Sequence, residues 1–203
     1  KLERNLTAAE IYDQVFILNE EAISNFGNPL SNIVFMGMGE PLLNYKALLE
    51  SVNIITTEKG LGMSPKRITV STAGISKMIK KLGDDEVRFN LAISLHSAND
   101  NKRDILMPIN QKINLEELRE SIRYFYDKTG SRVTYEYILF KDLNDSIEDA
   151  KKLAQFTKAS PCKINLIEYN PIDDFPYEKS SNNVTSRFIT YLKEKNIIVN
   201  LRK

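Results

Sequence analysis

Short apolar segments alternate with segments of helical periodicity along almost the whole chain, and this alternation is the strongest constraint on its fold. The predicted strands are residues 32–36, 67–71, 89–94, 133–139, 163–167 and 197–201. A helical pattern lies between each strand and the next. Strands separated by helices pair in parallel through right-handed crossovers. The sequence therefore predicts an α/β fold, either a doubly wound sheet or a partial or full βα barrel.

Length and composition limit the possible functions. With 203 residues, 42% of them hydrophobic, the chain can bury one full core, and a single domain over residues 1–203 is expected. The net charge of +1 does not by itself indicate a nucleic-acid partner. No long apolar run indicates a membrane partner, and the single cysteine, Cys162, excludes an internal disulfide within these residues. This usage suits a cytoplasmic protein.

Polar clusters follow four of the predicted strands. They are Gly39-Glu40, Ser71-Thr72, Ser94 with His96, and Tyr169-Asn170. In both candidate architectures, ligands bind at the carboxyl ends of parallel strands, so these clusters are expected to converge on one mouth. The residues alone predict a domain that binds a small polar molecule through Glu40, the two serines and Asn170.

The turn after the first strand carries the clearest signal. Gly37 and Gly39 let the backbone pass close to a ligand, and Pro41 favours an extended conformation for Glu40. A carboxylate is thus offered at a strand end. The alternative is that the glycines only form a tight turn and that Glu40 is solvated.

Structural roles remain open for the other candidates. Ser71 and Ser94 could cap the helices that follow them, and Asn170, before Pro171, could start a turn. His96 is the only histidine, and its position at a strand end favours a function over a purely structural role.

Two further predictions concern residues outside these clusters. Arg103 and Asp104 are expected to form an ion pair on a solvated face. Cys162 precedes a strand in apolar surroundings and is expected to be buried and inert.

Five stretches resemble, in order and spacing, the bacterial radical S-adenosylmethionine (SAM) methyltransferases that act on carbon 2 of an adenosine in 23S rRNA and in tRNA. They are residues 34–44 (VFMGMGEPLLN), 71–74 (STAG), 91–96 (LAISLH), 107–110 (MPIN) and 161–167 (PCKINLI). Together they span almost the whole chain. The resemblance implies a partial (β/α)6 barrel of the radical SAM type, with parallel strands and with the first barrel strand missing from this chain.

The resemblance also assigns a cofactor pocket. Gly39 and Glu40 would bind the amino group of SAM, since a carboxylate facing an ammonium forms a charge-assisted bond. The remaining contacts would come from Ser71, Ser94, Leu95, His96 and Asn170.

The family's [4Fe-4S] cluster requires three closely spaced cysteines, and its methyl carrier is another cysteine; this chain has neither. No catalytic or metal-binding residue is therefore expected within it. The chain is expected to be a central fragment that is inactive alone. The resemblance implies 23S rRNA and tRNA as substrates, together with an external electron donor. The edge of the strand at residues 32–36 is expected to be exposed and to favour oligomers.

Three alternatives stay open. The related enzymes that methylate carbon 8 of the same rRNA adenosine and confer antibiotic resistance share this chemistry. A barrel without a cluster could bind only nucleotides or RNA. An unrelated βα-barrel enzyme should carry a glycine-rich phosphate loop after a late strand, whereas Glu168-Tyr169-Asn170-Pro171 stands there.

Overall fold

The computed structural model describes residues 3–173 and 175–202, which form two compact units. The first unit contains the described residues through Thr72 together with Arg88–Leu91. The second contains Ala73–Val87 and the described residues from Ala92 onward.

The first unit holds two parallel strands and two helices. Its elements are α1 (Ala8–Phe26), β1 (Ile33–Phe35), α2 (Tyr45–Thr56), β2 (Ile68–Thr72) and the first two residues of β3 (Asn90–Ser94), with 3₁₀ turns at Pro41–Asn44 and Pro65–Arg67. In the β1–β2 pair, Phe35 lies opposite Val70. The Asn90 side-chain amide donates to the Ile68 carbonyl at 3.1 Å, so β3 begins beside β2.

The sequence Thr7-Ala8-Ala9-Glu10 predicts a capping box at the start of a helix, and α1 begins there. Thr7 Oγ1 accepts from the Glu10 amide at 3.2 Å, and a Glu10 carboxylate oxygen accepts from the Thr7 amide at 2.8 Å. This reciprocal pair satisfies two amides that the first helical turn leaves without intrahelical partners. Gly27, with φ +71°, ends the helix in the left-handed conformation that glycine adopts without strain.

The second unit continues the alternation of strands and helices. Its elements are the rest of β3, α3 (Ser76–Asp84), α4 (Asp100–Leu106), α5 (Leu115–Thr129), β4 (Val133–Leu139), α6 (Ile147–Phe156), β5 (Cys162–Glu168), α7 (Asn182–Glu194) and β6 (Ile198–Arg202), with 3₁₀ turns at Pro108–Gln111 and Thr157–Ala159. Neighbouring strands follow chain order, and every pairing is parallel. The structure thus confirms the predicted α/β class.

The start of α6 corrects a detail of the sequence prediction. The spacing of Asp145 and Glu148 predicts that these two residues open the helix, but Ser146 caps it and forms a capping box with Asp149. Both reciprocal bonds are 3.2 Å long. Asp145 instead accepts from the amide of Asp142 at 3.1 Å, which stabilises the preceding turn.

Aromatic contacts fix the helices on one face of the second unit's strands. The Tyr135 ring lies 5.6 Å from that of Phe156 on α6, and the Tyr137 ring lies 5.6 Å from that of Phe188 on α7. Both tyrosine side chains are fully buried. Among the described residues, we find no helix with the length and apolar character needed to cross a membrane.

Candidate functional site

The turn after β1 presents Glu40 in a defined conformation. Gly39 has φ +94°, a value that L-residues rarely adopt, and Glu40 is extended at φ −103° and ψ 110°, as Pro41 predicts. Glu40 Oε1 accepts from the Leu42 amide at 3.1 Å and caps the 3₁₀ turn. The carboxylate is therefore partly buried and held by the turn, in contrast to the solvated alternative.

Ser71 lies at the same end of the first unit. It belongs to β2, and because Phe35 is opposite Val70, both the Gly39-Glu40 turn and Ser71 stand at the carboxyl ends of their strands. The residue before α3 is Ile75, so Ser71 does not cap that helix. The capping alternative is wrong, and a ligand contact remains for its hydroxyl.

In the second unit, Ser94 ends β3 and Leu95 follows it. The Leu95 and His96 amides both donate to the Glu136 carbonyl on β4, at 3.0 and 3.3 Å. Helix α4 is capped by Asn99, so Ser94 does not cap it. The segment from Ser94 to His96 thus continues beside β4 past the end of β3.

His96 stands at the centre of a strained turn. Its φ is +53°, and the Ser97 amide donates to the Leu95 carbonyl at 2.7 Å, the i to i+2 bond of a γ-turn. His96 Nδ1 accepts from the Ile138 amide at 3.2 Å. Burial and the nearby Arg103 guanidinium lower the pKa of His96 to about 4. The imidazole is therefore neutral at pH 7, with its proton on Nε2 available for donation.

Asn144 holds this turn in place, and sequence reasoning did not select it. Its Nδ2 donates to the carbonyls of His96 and Ile138 at 2.6 and 2.8 Å, and its Oδ1 accepts from the Phe140 amide at 2.7 Å. The side chain is fully buried. An asparagine in a polar loop gives no sequence signal for this role, because the His96 carbonyl that it binds lies 48 residues away in the chain.

Arg103 corrects the expectation of a solvated ion pair. Its side chain is fully buried; Nη2 donates to the Ala73 carbonyl at 2.8 Å, Nε to the Leu95 carbonyl at 3.2 Å, and Nη1 to Asn110 Oδ1 at 2.8 Å. Asn110 in turn donates to Asp104 Oδ1 at 2.7 Å. Arg103 therefore joins the segments that follow β2 and β3. Its network includes Asn110 of residues 107–110 (MPIN). This stretch is the sequence signal that could have revealed the role of Arg103.

Burial lowers the pKa of Arg103 to about 10, although Asp100 and Asp104 act in the opposite direction. The guanidinium is charged at pH 7 and can form every hydrogen bond described above. A charge with these partners costs less to bury than an isolated one.

Asn170 is exposed two residues after β5, at the carboxyl end of its strand. Its neighbour Tyr169 is 8% exposed and packs on Phe140, with ring centroids 4.9 Å apart. Asn170 thus lies at the same edge as Ser94 and His96 within the second unit. The described contacts do not assign it a turn-initiating role.

The comparisons with known proteins identify the family. The model of the Radical SAM superfamily matches residues 4–154, about three quarters of the chain. The chain belongs to the radical SAM superfamily. Its relatives include proteins named "Probable dual-specificity RNA methyltransferase RlmN" from Christiangramia forsetii, 53% identical over 203 residues, and from Flavobacterium psychrophilum, 52% identical over 202 residues. Each alignment covers 100% of this chain and 58% of the relative, so the chain spans little more than half of their length.

A solved structure gives the same result for the fold. The crystal structure of a radical SAM methyltransferase from Sphaerobacter thermophilus superposes with a TM-score of 0.94 at 39% identity, over 99% of this chain and 59% of that one. This superposition confirms the predicted radical SAM fold.

Membership of the superfamily implies SAM and a [4Fe-4S] cluster as cofactors, and the described residues fit only the first. In the first unit, the held carboxylate of Glu40 and the Ser71 hydroxyl suit a ligand with an ammonium group. In the second unit, the Ser94 hydroxyl and the neutral imidazole of His96 suit a ligand with hydroxyl groups. The cluster needs thiolates. Cys162, expected to be buried, is only partly buried, and this burial raises the pKa of its thiol to about 11, which favours an inert thiol. Within residues 3–173 and 175–202, no group of three or more His, Cys, Asp or Glu could hold a metal ion.

Proposed function

We propose that the complete protein is a radical SAM RNA methyltransferase that methylates carbon 2 of an adenosine in 23S rRNA and in tRNA. The observation that carries this proposal is the identity of 53% to a relative named as a dual-specificity RNA methyltransferase, over all 203 residues of this chain. Residues 1–203 would form a single core domain of a cytoplasmic enzyme that takes electrons from an external donor.

In the first unit, Gly39, Glu40 and Ser71 would contact SAM. The Glu40 carboxylate would accept hydrogen bonds from its ammonium group, and Gly39, which has no side chain, would let the ligand approach the backbone. The Ser71 hydroxyl would donate or accept beside them. When bound, SAM supplies the methyl group.

In the second unit, Ser94, Leu95, His96 and Asn170 would contact SAM. His96 would donate from Nε2, because its Nδ1 already accepts from the Ile138 amide. Ser94 and Asn170 offer a hydroxyl and an amide, and Leu95 offers a buried apolar side chain next to them. These groups bind and orient a ligand without taking part in bond making, which suits chemistry carried by a cofactor.

The 203-residue chain alone would be inactive, because its described residues do not hold a cluster. The test uses the complete protein with its cluster reconstituted without oxygen. It is incubated with SAM, a reductant, and unmodified 23S rRNA or tRNA, and the digested nucleosides are separated by chromatography and mass spectrometry.

The proposal expects 2-methyladenosine in both RNAs. Formation of 8-methyladenosine would assign the carbon-8 activity instead. Absence of methylation with normal iron content would leave the binding-module alternative. The 203-residue chain, assayed in parallel, should yield no methylated nucleoside.

A further inference from the structure

The strands of the second unit carry polar side chains on the face opposite α6 and α7. Tyr135 and Tyr137 contact those helices, so the alternating residues Thr134, Glu136 and Ile138 point to the other face. Parallel strands are usually apolar on both faces because helices cover both. A carboxylate in the middle of β4 therefore requires a separate explanation.

A continuous polar row crosses four strands at the level of this carboxylate. In the parallel register, Ser94 on β3 lies beside Glu136 on β4, which lies beside Asn165 on β5, which lies beside Asn200 on β6. Register partners in adjacent parallel strands are about 4.8 Å apart and point to the same face. The row begins at Ser94, one of the proposed SAM contacts.

Hydrogen bonds within the row orient the Glu136 carboxylate. Asn165 Nδ2 donates to Glu136 Oε1 at 2.8 Å, and Asn200 Nδ2 donates to Asn165 Oδ1 at 3.3 Å. Glu136 and Asn165 are 9% and 6% exposed. Among the residues that the structure describes, no donor lies within hydrogen-bond distance of Glu136 Oε2. One oxygen is thus fixed, and the other can accept from a ligand.

The surrounding charges favour a neutral donor over a cation as that ligand group. Burial raises the pKa of Glu136, whereas the hydrogen bond from Asn165 and the charges of Arg202 and Lys163 act in the opposite direction. Two cations near the carboxylate already offset part of its charge. A hydroxyl group can donate to the remaining oxygen without adding a third cation, and acidic side chains bind ribose hydroxyls in this way in dinucleotide-binding folds.

We propose that Glu136 binds a ribose hydroxyl of the SAM molecule that contacts Ser94. Glu136 contacts this segment through two groups. Its backbone carbonyl accepts from the Leu95 and His96 amides, and its carboxylate lies beside Ser94 in the row. This inference rests on the proposed function. The ribose of the target RNA nucleotide carries the same hydroxyl groups as the ribose of SAM, and the experiment below distinguishes the two.

The test compares S-adenosylhomocysteine with its 2′-deoxy and 3′-deoxy analogues on the complete protein by calorimetry. For the wild type, removing the bound hydroxyl should weaken binding roughly 10- to 100-fold, the factor for losing a hydrogen bond to a charged group. In Glu136→Gln, which keeps the size and can still accept from Asn165, this penalty should fall to about threefold or less. The matched control is Glu168→Gln on β5, where the carboxylate is 8% exposed and is paired with Lys179 at 2.7 Å. This control should keep the full penalty.

An equal penalty in the wild type and Glu136→Gln would overturn the inference, as would the absence of any penalty in the wild type. Unchanged affinity for S-adenosylhomocysteine with impaired RNA methylation would assign Glu136 to the ribose of the target and would also overturn it. If Glu136→Gln fails to fold, Glu136→Asp keeps the charge but withdraws it by one methylene, and the penalty should again shrink. If the wild type does not bind S-adenosylhomocysteine at all, the proposed function itself fails.

Discussion

Arg103→Met should be among the most destabilising single substitutions in the second unit. The guanidinium donates to the Ala73 and Leu95 carbonyls and to Asn110 Oδ1, all at 3.2 Å or less, inside fully buried surroundings. Methionine fills much of the volume but removes these three hydrogen bonds; Asn110 Oδ1 loses the Arg103 donor, whereas the Leu95 carbonyl keeps its bond from the Ser97 amide.

An unsatisfied buried acceptor costs about 1–3 kcal/mol, and the costs are not additive when the groups share one network. Loss of one member of a buried charged network typically costs about 3–5 kcal/mol. We therefore expect Arg103→Met to lower the free energy of unfolding by about 3–5 kcal/mol. For a chain of this length, the melting temperature should fall by roughly 6–20 °C.

The assay is urea denaturation followed by circular dichroism, repeated on two matched variants. Arg119→Met removes an arginine from an exposed ion pair with Glu116, 2.6 Å long, and should change the free energy of unfolding by no more than about 1 kcal/mol. Arg103→Lys keeps the charge but cannot reach three separate acceptors, so it should recover only part of the loss. A loss below about 1 kcal/mol for Arg103→Met would refute the view that Arg103 joins these segments.

Three further predictions test other parts of the structure. Gly39→Ala should lower the free energy of unfolding by about 1–2 kcal/mol because φ is +94°, although no atom lies within 4 Å of the added Cβ. The control is Gly37→Ala, where φ is not positive and the space around the added Cβ is equally open. Equal losses for the two variants in urea denaturation would contradict the argument. His96 has a folded pKa of about 4, below its ordinary value of 6.5, so the unfolded chain binds the proton first and stability should be lost as the pH falls from about 6.5 to 4. His96→Asn, which tolerates a positive φ, should flatten this part of the curve of unfolding free energy against pH, and parallel curves would count against it. The 203-residue chain should elute as a dimer in size-exclusion chromatography because Val34 of β1 and the following Met38 are 60% and 105% exposed, and a monomer at all concentrations would exclude this.

Local patterns predicted the elements well where the signal is contained in a few neighbouring residues. The capping box of Thr7 and Glu10 and the predicted strand over residues 133–139 agree with the structure. The conformation of Glu40 also followed from the proline beside it. These features depend on interactions over a few residues, which sequence spacing describes directly.

Apart from the residues that cap helices, the errors concern contacts between distant parts of the chain. Arg103 was expected on a solvated face, yet its partners Ala73 and Leu95 lie 30 and 8 residues away. The support that Asn144 gives to His96 spans 48 residues. A charged or polar side chain carries no local mark of burial, because burial depends on the packing of elements that meet only in the folded protein. The row from Ser94 to Asn200 is another such case, since it depends on strand register.

The most direct test of the account is RNA methylation by the complete, reconstituted protein beside its Glu40→Gln variant. Glutamine can still accept from the Leu42 amide and preserve the turn, but it loses the negative charge that would face the ammonium group of SAM. With iron content unchanged, we expect methylation at a SAM concentration below saturation to fall at least about tenfold, since a hydrogen bond to a charged group contributes about 1.5–3 kcal/mol. Methylation equal to that of the wild type would contradict the assignment of Glu40 to the cofactor.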